Sequence, residues 1–141
     1  MAVSSNPGSK IHVLLVDDDN DVRESLAEIL KDMGVFSTIV EAVDGKDGFY
    51  KYQNQAFDII ITDLVMPKVS GLEFIQNLFG FKEKATPPII LLSGNLTGAE
   101  VQKSIKLGVK YVLVKPCSEE QLVNKVEQVL KSDVSRKVIN L

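Results

Sequence analysis

The sequence of 141 residues contains little of what several classes of protein require. Its single cysteine, Cys117, excludes an internal disulfide, a dithiol redox pair and a cysteine zinc site, and is expected to be a packing residue. Its longest apolar runs, such as IHVLLV and PPIILL, are much shorter than the roughly 18 residues that a membrane span needs. A net charge of −3 gives no electrostatic basis for binding nucleic acid or an anionic membrane. The N-terminus lacks the basic and apolar segments of a secretory signal, so a cytoplasmic protein is expected.

The rest of the sequence alternates short apolar segments with segments of helical periodicity. The predicted strands are rich in β-branched residues and lie at 11–16, 35–42, 57–62, 88–93 and 111–115. Because long right-handed crossovers between such strands produce a parallel sheet, we predict an α/β fold. It is a doubly wound, five-stranded parallel sheet in the order 2-1-3-4-5 with five helices, of the flavodoxin-like type. One domain is expected at residues 10–132, after a disordered lead-in at 1–9 and before a tail or helix extension at 133–141, with no output domain following.

Local signals mark the starts and ends of the predicted helices. Val22, Leu26 and Leu30 share one face of the first helix, which Gly34 is expected to end. Asp44 marks a weaker start for the second helix, whose segment GKDGFYKYQ contains two glycines. The other three helices are predicted to begin with capping boxes, in which a hydroxyl caps the helix and a side chain three residues later bonds back. The pairs are Ser70 with Glu73, Thr97 with Glu100, and Ser118 with Gln121.

Polar side chains stand at the carboxyl ends of four of the five predicted strands. They are Asp17, Asp18 and Asp19 for the first strand, Asp63 for the third, Ser93 for the fourth and Lys115 for the fifth. Ligands of open α/β sheets bind where strand order reverses, so we expect Asp17, Asp18 and Asp63 to converge there. Two like charges about 4 Å apart repel by roughly 4 kcal/mol at an effective dielectric constant near 20, and Mg²⁺ would offset this repulsion. Asp19 is expected to cap the first helix instead.

The converging groups are suited to phosphoryl transfer. Asp63 ends the buried segment IIIT, where an ionised carboxylate is unfavourable unless it has a partner. A carboxylate can accept a phosphoryl group as an aspartyl phosphate, while Lys115 neutralises the phosphoryl oxygens and Ser93 donates a hydrogen bond to one of them. Two simpler readings stay open, namely helix capping by the acids and a structural salt bridge from Lys115.

Four segments, in this order, resemble the receiver domain of two-component response regulators. They are LLVDDD, IIITDLVMPKVSGLEFI, PIILLSG and VLVKP, and the resemblance covers about residues 10–132. The resemblance implies that Asp63 is the phosphoacceptor and that Ser93 and Lys115 contact the phosphoryl group. It also implies the Mg²⁺ ligands, which are Asp63, Asp18 directly, Asp17 through water, and the Val65 backbone carbonyl. The resemblance also implies a cis Lys115–Pro116 bond that aims the lysine into the site. Phosphorylation would then alter the face made by the fourth helix, fifth strand and fifth helix.

Two positions depart from the family pattern. Many receivers have Tyr or Phe three residues before the conserved lysine, but here that residue is Val112. The aromatic residue, Tyr111, lies one place earlier, and a strand would direct it to the opposite face. Switching is therefore expected through the loop from Ser93 to Thr97 alone. Ser70 stands where an Asp is common, and it can cap the third helix equally well.

Three functions are compatible with these residues. The leading prediction is a stand-alone receiver that catalyses only its own phosphorylation and dephosphorylation. Its partners would be a histidine kinase or histidine phosphotransfer protein as donor and a separate protein target, because His12, the only histidine, begins a strand and is not a donor. The alternatives are a phosphorylation-independent interaction module and a Mg²⁺-dependent phosphatase, although Val65 stands where such phosphatases usually carry a second acid. Val65 and Asn95 are expected to tune the phosphoryl lifetime.

Overall fold

A computed structural model of the protein describes residues 2–3, 9–66 and 69–134. One sheet is flanked by helices on both faces. Its strands are β1 Ala2–Val3, β2 His12–Val16, β3 Thr38–Ala42, β4 Ile59–Asp63, β5 Ile89–Ser93 and β6 Tyr111–Val114. The helices are α1 Asn20–Asp32, α2 Gly45–Asn54, α3 Gly71–Gly80, α4 Ala99–Leu107 and α5 Glu119–Asp133. In the described part of the chain, no helix is long and apolar enough to cross a bilayer.

The sheet has the order β1-β3-β2-β4-β5-β6, and its last five strands are parallel. This confirms the predicted order of the five parallel strands. The prediction of a disordered lead-in at 1–9 is wrong for Ala2 and Val3, because these residues form β1, which pairs antiparallel with β3 and has Ala2 opposite Val40. The pairing covers backbone groups of β3 that an edge strand would leave open. Ser9 is also buried, and its hydroxyl donates to the carbonyl of Val35 at 2.6 Å.

The remaining expectations for the chain ends stay untested. Residues 1 and 4–8 of the predicted lead-in lie outside the described residues, and so do residues 135–141 of the predicted tail. Helix α5 reaches Asp133, and the backbone N–H of Val134 bonds to the carbonyl of Leu130 at 3.2 Å. The domain limits of 10–132 therefore stay a prediction.

Alternate residues of each strand face opposite sides of the sheet. Val13 and Leu15 of β2 belong to a buried cluster with α1 and α5, whereas Leu14 and Val16 belong to a second cluster with α2, α3 and α4. All five residues of β4 and of β5 are buried. This two-sided burial explains why the strands are continuous apolar runs rather than alternating ones.

Most of the predicted helix starts are confirmed. Asp44 and Ser70 cap α2 and α3, but of the box predicted at Ser70 only the bond from the Glu73 N–H to the Ser70 hydroxyl is found among the described residues. The full reciprocal capping box is present at Ser118 and Gln121. The predicted box at Thr97 is wrong, because α4 begins at Ala99 with no side-chain cap. Both the backbone N–H and the hydroxyl of Thr97 instead donate to the side-chain oxygen of Asn95, at 2.8 and 3.0 Å.

The glycines that weakened the predicted α2 have a packing reason. A Cβ atom on Gly48 would lie 3.0 Å from a methyl carbon of Val16 and 3.2 Å from the Phe74 ring. The absence of a side chain lets α2 approach the sheet and α3 closely. At the end of α1, Gly34 has a φ of 69°, the left-handed conformation that glycine adopts easily, as its predicted position requires.

Candidate functional site

Parallel strands bring the predicted site residues to one edge of the sheet. In the β2–β4 pair Val16 lies opposite Thr62, so Asp17 and Asp63 follow at neighbouring positions. In the β5–β6 pair Ser93 lies opposite Val114, and the backbone N–H of Lys115 donates to the carbonyl of Ser93 at 2.8 Å. The carboxyl ends of β2, β4, β5 and β6 thus form one cleft, as expected for the crevice of an open α/β sheet.

Three carboxylates meet in this cleft. Each of Asp17, Asp18 and Asp63 offers an oxygen, and these oxygens all lie within 4.8 Å of one another. Asp17 is fully buried and Asp63 is 6% exposed, whereas Asp18 is exposed. At such separations carboxylates repel each other strongly, so the cluster requires a compensating positive charge.

Lys115 supplies part of that charge. Its ammonium nitrogen lies 3.3 Å from Oδ2 of Asp63 and 3.6 Å from Oδ2 of Asp17. Burial lowers the pKa of Lys115, but the neighbouring charges of Asp63 and Asp17 raise it by more, so the net pKa is raised. The lysine therefore stays protonated at neutral pH. Its peptide bond to Pro116 is cis, as predicted.

One cation does not balance three acids. Oδ1 of Asp17 accepts a hydrogen bond from the Asp19 backbone N–H at 2.9 Å, but its buried Oδ2 has no hydrogen-bond partner among the described residues. Burial raises the pKa of Asp17, and the hydrogen bond from Asp19 and the charge of Lys115 oppose this only partly. A buried carboxylate oxygen that has no hydrogen bond and only a 3.6 Å contact with the Lys115 ammonium, beside two further carboxylates, fits a hard divalent cation such as Mg²⁺.

The two residues predicted to contact the phosphoryl group, Lys115 and Ser93, direct their side chains to different partners. Lys115 points at Asp63, as its distances show. The buried Ser93 hydroxyl instead donates to the carbonyl of Asn95 at 2.8 Å and accepts from the Asn95 N–H at 3.1 Å. The Ser93 side chain is therefore held by its own loop in this conformation.

Two residues of the loop after β4 frame Asp63. Val65 is 74% exposed, and its backbone N–H lies 3.4 Å from Oδ1 of Asp63. A Cβ atom on Gly71 would lie 2.4 Å from the Asp63 carbonyl oxygen and 2.5 Å from Cα of Leu64. Only glycine allows α3 to begin this close to the Asp63 backbone. The role of the Val65 carbonyl as a metal ligand stays a prediction.

The prediction that Asp19 caps α1 is confirmed. Its side chain accepts hydrogen bonds from the N–H groups of Asp21 and Val22.

One buried residue near the site, Arg23, was not predicted from the sequence. Arg23 is 8% exposed, and it donates to the main-chain carbonyl of Asp17 at 2.8 Å. Its neighbours Val22 and Leu26 indicated the core face of α1, but a charged residue in that stretch gave no sign of being buried.

The comparisons with known proteins agree with this geometry. Residues 13–127 match the family described as the response regulator receiver domain. The chain belongs to this family. Phosphorylation-dependent switching in two-component signalling is the general role of receiver domains.

Similar receiver domains include short chemotaxis proteins and parts of longer regulators. The chemotaxis protein CheY of Treponema pallidum is 30% identical over 126 residues, covering 88% of this chain and 85% of that protein. The structure of the Vibrio cholerae chemotaxis response regulator CheY4 has a TM-score of 0.77 at 31% identity, covering 85% of this chain and 98% of that chain. The transcriptional regulatory protein YdfI of Bacillus subtilis is 35% identical, but this chain spans only 56% of its length.

Proposed function

We propose that this receiver domain is a phosphorylation-dependent switch in the cytoplasm that accepts a phosphoryl group on Asp63 in the presence of Mg²⁺. The observation that carries the proposal is the cluster of Asp17, Asp18 and Asp63, with the ammonium group of Lys115 beside it and a buried oxygen of Asp17 that has no hydrogen bond. This arrangement suits phosphoryl transfer, in which positioning and charge neutralisation supply most of the catalysis.

The residues have separate roles in the proposed reaction. Asp17, Asp18, Asp63 and the Val65 carbonyl would hold Mg²⁺, which would neutralise negative charge on the transferred group. An oxygen of Asp63 attacks phosphorus, and the new P–O bond forms as the P–N bond of a donor phosphohistidine breaks and the imidazole leaves. Lys115 is placed to bind a phosphoryl oxygen, because its ammonium group lies 3.3 Å from Asp63.

The phosphohistidine must come from a partner, a histidine kinase or histidine phosphotransfer protein. His12 is the only histidine in the sequence, and it begins β2, whose opposite end carries the site. Its Nδ1 is 2.7 Å from the hydroxyl of Thr38.

A cavity of about 340 Å³ lies beside Lys115, between Leu26 and Ile29 of α1 and Pro116. Its apolar lining would offer contacts to the donor protein next to the site.

The proposed switch acts through Ser93. Its hydroxyl would exchange the Asn95 carbonyl for a phosphoryl oxygen, which moves the loop that leads into α4. Val112 packs against the buried cluster that contains Val101 of α4, but it carries no aromatic ring. The target protein would bind the face of α4, β6 and α5, where Ile105 and Val114 are exposed by 45% and 40%.

The proposal is tested by measuring the intact mass of the protein after incubation with acetyl phosphate, with Mg²⁺ and with EDTA. We expect the wild type to gain one phosphoryl group only with Mg²⁺, and Asp63→Asn to gain none. Asp32→Asn, which changes an exposed acid at the end of α1, is the matched control and should behave as the wild type.

Equal labelling of the Asp63→Asn variant would disprove the assignment of the phosphoacceptor. If the wild type gains no mass, binding of Mg²⁺ with beryllofluoride separates a receiver that requires its cognate donor from an interaction module that works without phosphorylation. Binding of both supports the first, and binding of neither supports the second.

A further inference from the structure

Arg23 is a buried cation that contacts the backbone of the acidic cleft. Its guanidinium group makes three hydrogen bonds in three directions. Nη1 donates to the main-chain carbonyl of Asp17 at 2.8 Å, Nε donates to Oε1 of Glu41 at 3.0 Å, and Nη2 donates to Oδ1 of Asn20 at 2.8 Å. The side chain is 10% exposed, so these bonds are made largely out of water. Arg23 therefore links the loop after β2 to β3 and to the first turn of α1.

The bond from Arg23 completes the restraint of Asp17. The Asp17 N–H donates to the carbonyl of Ala42 at 3.2 Å, and its Oδ1 accepts from the Asp19 N–H at 2.9 Å. With its carbonyl held by Arg23, one polar atom of Asp17 is left without a hydrogen bond to the described residues, the buried Oδ2 of the cleft. That oxygen is thereby held in one orientation.

We infer that Arg23 is a positioning residue for the metal site, which fixes the backbone of Asp17 so that its Oδ2 faces the cleft. This inference rests on the proposed function, because it presupposes that the cleft binds Mg²⁺. The charge of Arg23 is paired with Glu41, so Arg23 acts by geometry rather than by attracting anions or repelling the metal. A planar fork with several donors can reach three acceptors at once, whereas a lysine ammonium at the end of a flexible chain cannot hold the same three.

A purely structural role for Arg23 makes a different prediction. Such a role would lower the stability of the fold but leave the Mg²⁺ affinity of the folded protein unchanged. A purely electrostatic role would be restored by Arg23→Lys, which keeps the charge. The positioning role predicts weaker Mg²⁺ binding in both Arg23→Gln and Arg23→Lys.

Lys51 provides the matched control. Its ammonium group donates to the main-chain carbonyl of Glu41 at 2.6 Å and to Asp47 at 3.1 Å. Lys51 and Arg23 both bond to Glu41 of β3, but among the described residues the hydrogen bonds of Lys51 do not include Asp17. Lys51→Met therefore removes a partly buried cation that contacts Glu41 without removing a contact to Asp17. We expect it to leave Mg²⁺ binding as in the wild type.

The test is calorimetric titration with Mg²⁺ at a temperature where circular dichroism shows each variant to be folded. Both Arg23 variants are expected to bind Mg²⁺ about tenfold more weakly than the wild type, because partners that orient metal ligands typically contribute this much to affinity. In acetyl phosphate assays, the Mg²⁺ concentration for half-maximal labelling should rise by the same factor. The rate at saturating Mg²⁺ should stay within about twofold, since Asp63 and Lys115 are unchanged.

The outcomes separate this inference from the proposed function. Wild-type Mg²⁺ affinity in the folded Arg23 variants, or full recovery in Arg23→Lys, would overturn the positioning role and leave the proposed function standing. A wild type that binds no Mg²⁺ would overturn both. If Arg23→Gln does not fold, the milder Arg23→Lys decides the matter, because weakened binding in that variant alone contradicts the electrostatic role.

Discussion

Tyr111 and Val112 face opposite sides of β6, and this decides which of them can respond to the site. Tyr111 packs in the cluster with α1 and α5, and its hydroxyl donates to Oδ2 of Asp133 at 2.7 Å. Val112 faces the cluster that contains α4. The Tyr111 side chain is thus hydrogen-bonded to the end of α5, on the side of the sheet away from α4, as the one-residue offset predicted.

The first prediction at the residue scale concerns this bond. Tyr111→Phe should lower the free energy of unfolding by about 1 kcal/mol, because a hydrogen bond to a partly buried carboxylate is lost. Tyr50→Phe is the control, since Tyr50 is 65% exposed and should change stability by less than about 0.5 kcal/mol. Urea unfolding of the three proteins measures both differences.

The difference in stability between the wild type and Tyr111→Phe should depend on pH in a defined direction. Burial and Asp133 raise the pKa of Tyr111, so the folded state retains the phenol proton more strongly than the unfolded chain does. Its stabilisation is complete below the ordinary tyrosine pKa of about 10 and is lost as the pH rises through the higher folded-state value. A deficit in Tyr111→Phe that persists unchanged in strong alkali would contradict this account.

At the scale of elements, the start of α3 packs directly against the backbone of Asp63 and Leu64. The N–H of Gly71 donates to the carbonyl of Leu64 at 2.8 Å, and a Cβ atom there would meet three backbone atoms within 2.7 Å. Backbone atoms cannot rotate away as side chains do. Helix and loop must separate to admit any side chain at this position.

Gly71→Ala should therefore destabilise the protein by about 3 kcal/mol and slow phosphorylation of Asp63, because the loop is displaced. Gly80→Ala tests the same exchange at the other end of α3, where no atom lies within 4 Å of the added carbon. It should be neutral or more stable by about 0.5 kcal/mol, since glycine is unfavourable in a helix. Thermal unfolding and acetyl phosphate labelling are the measurements, and equal stability of the two variants would refute the close approach at Gly71.

At the scale of the whole molecule, the buried carboxylate of Asp17 is a cost to stability at neutral pH, which the proposed Mg²⁺ would offset. Folding raises the pKa of Asp17, so the folded state binds a proton there more readily than the unfolded chain. The contribution of this group favours folding below the ordinary carboxyl pKa and is lost as the pH rises through the folded-state value. At neutral pH, without metal, Asp17 therefore opposes folding.

Asp17→Asn should reverse the order of stability according to whether Mg²⁺ is present. In EDTA at pH 7 the variant should be more stable than the wild type by about 1 kcal/mol, because the cost of burying this charge, and its repulsion by Asp63 and Asp18, are removed. The difference should close as the pH falls toward about 4, where the wild-type carboxylate becomes protonated. At 100 times its dissociation constant, Mg²⁺ should stabilise the wild type by about 2.7 kcal/mol and the variant by less. Urea unfolding in EDTA and in Mg²⁺ measures this, and a variant that is less stable in EDTA would contradict the account.

Much of the fold was predictable because its signals are local. The central strands are mostly apolar runs, and the side chains of Asp19, Asp44, Ser70 and Ser118 cap the helices that they were expected to start or favour. Of the two failures, one has a local cause and the other does not. Thr97 bonds back to Asn95 instead of capping α4, and the pairing of β1 with β3 joins segments more than 30 residues apart that no short pattern connects.

The sequence by itself determined which residues stand at the strand ends. From the order of the strands it also determined that Asp17, Asp18, Asp63, Ser93 and Lys115 belong to one edge of the sheet. Only the tertiary structure decided which of their atoms have partners. The direction of the Ser93 hydroxyl, the lack of a hydrogen bond to Oδ2 of Asp17 and the three bonds of Arg23 depend on distances between separate strands and helices. Such distances are set by packing of the whole core, so no periodicity or motif in the sequence contains them.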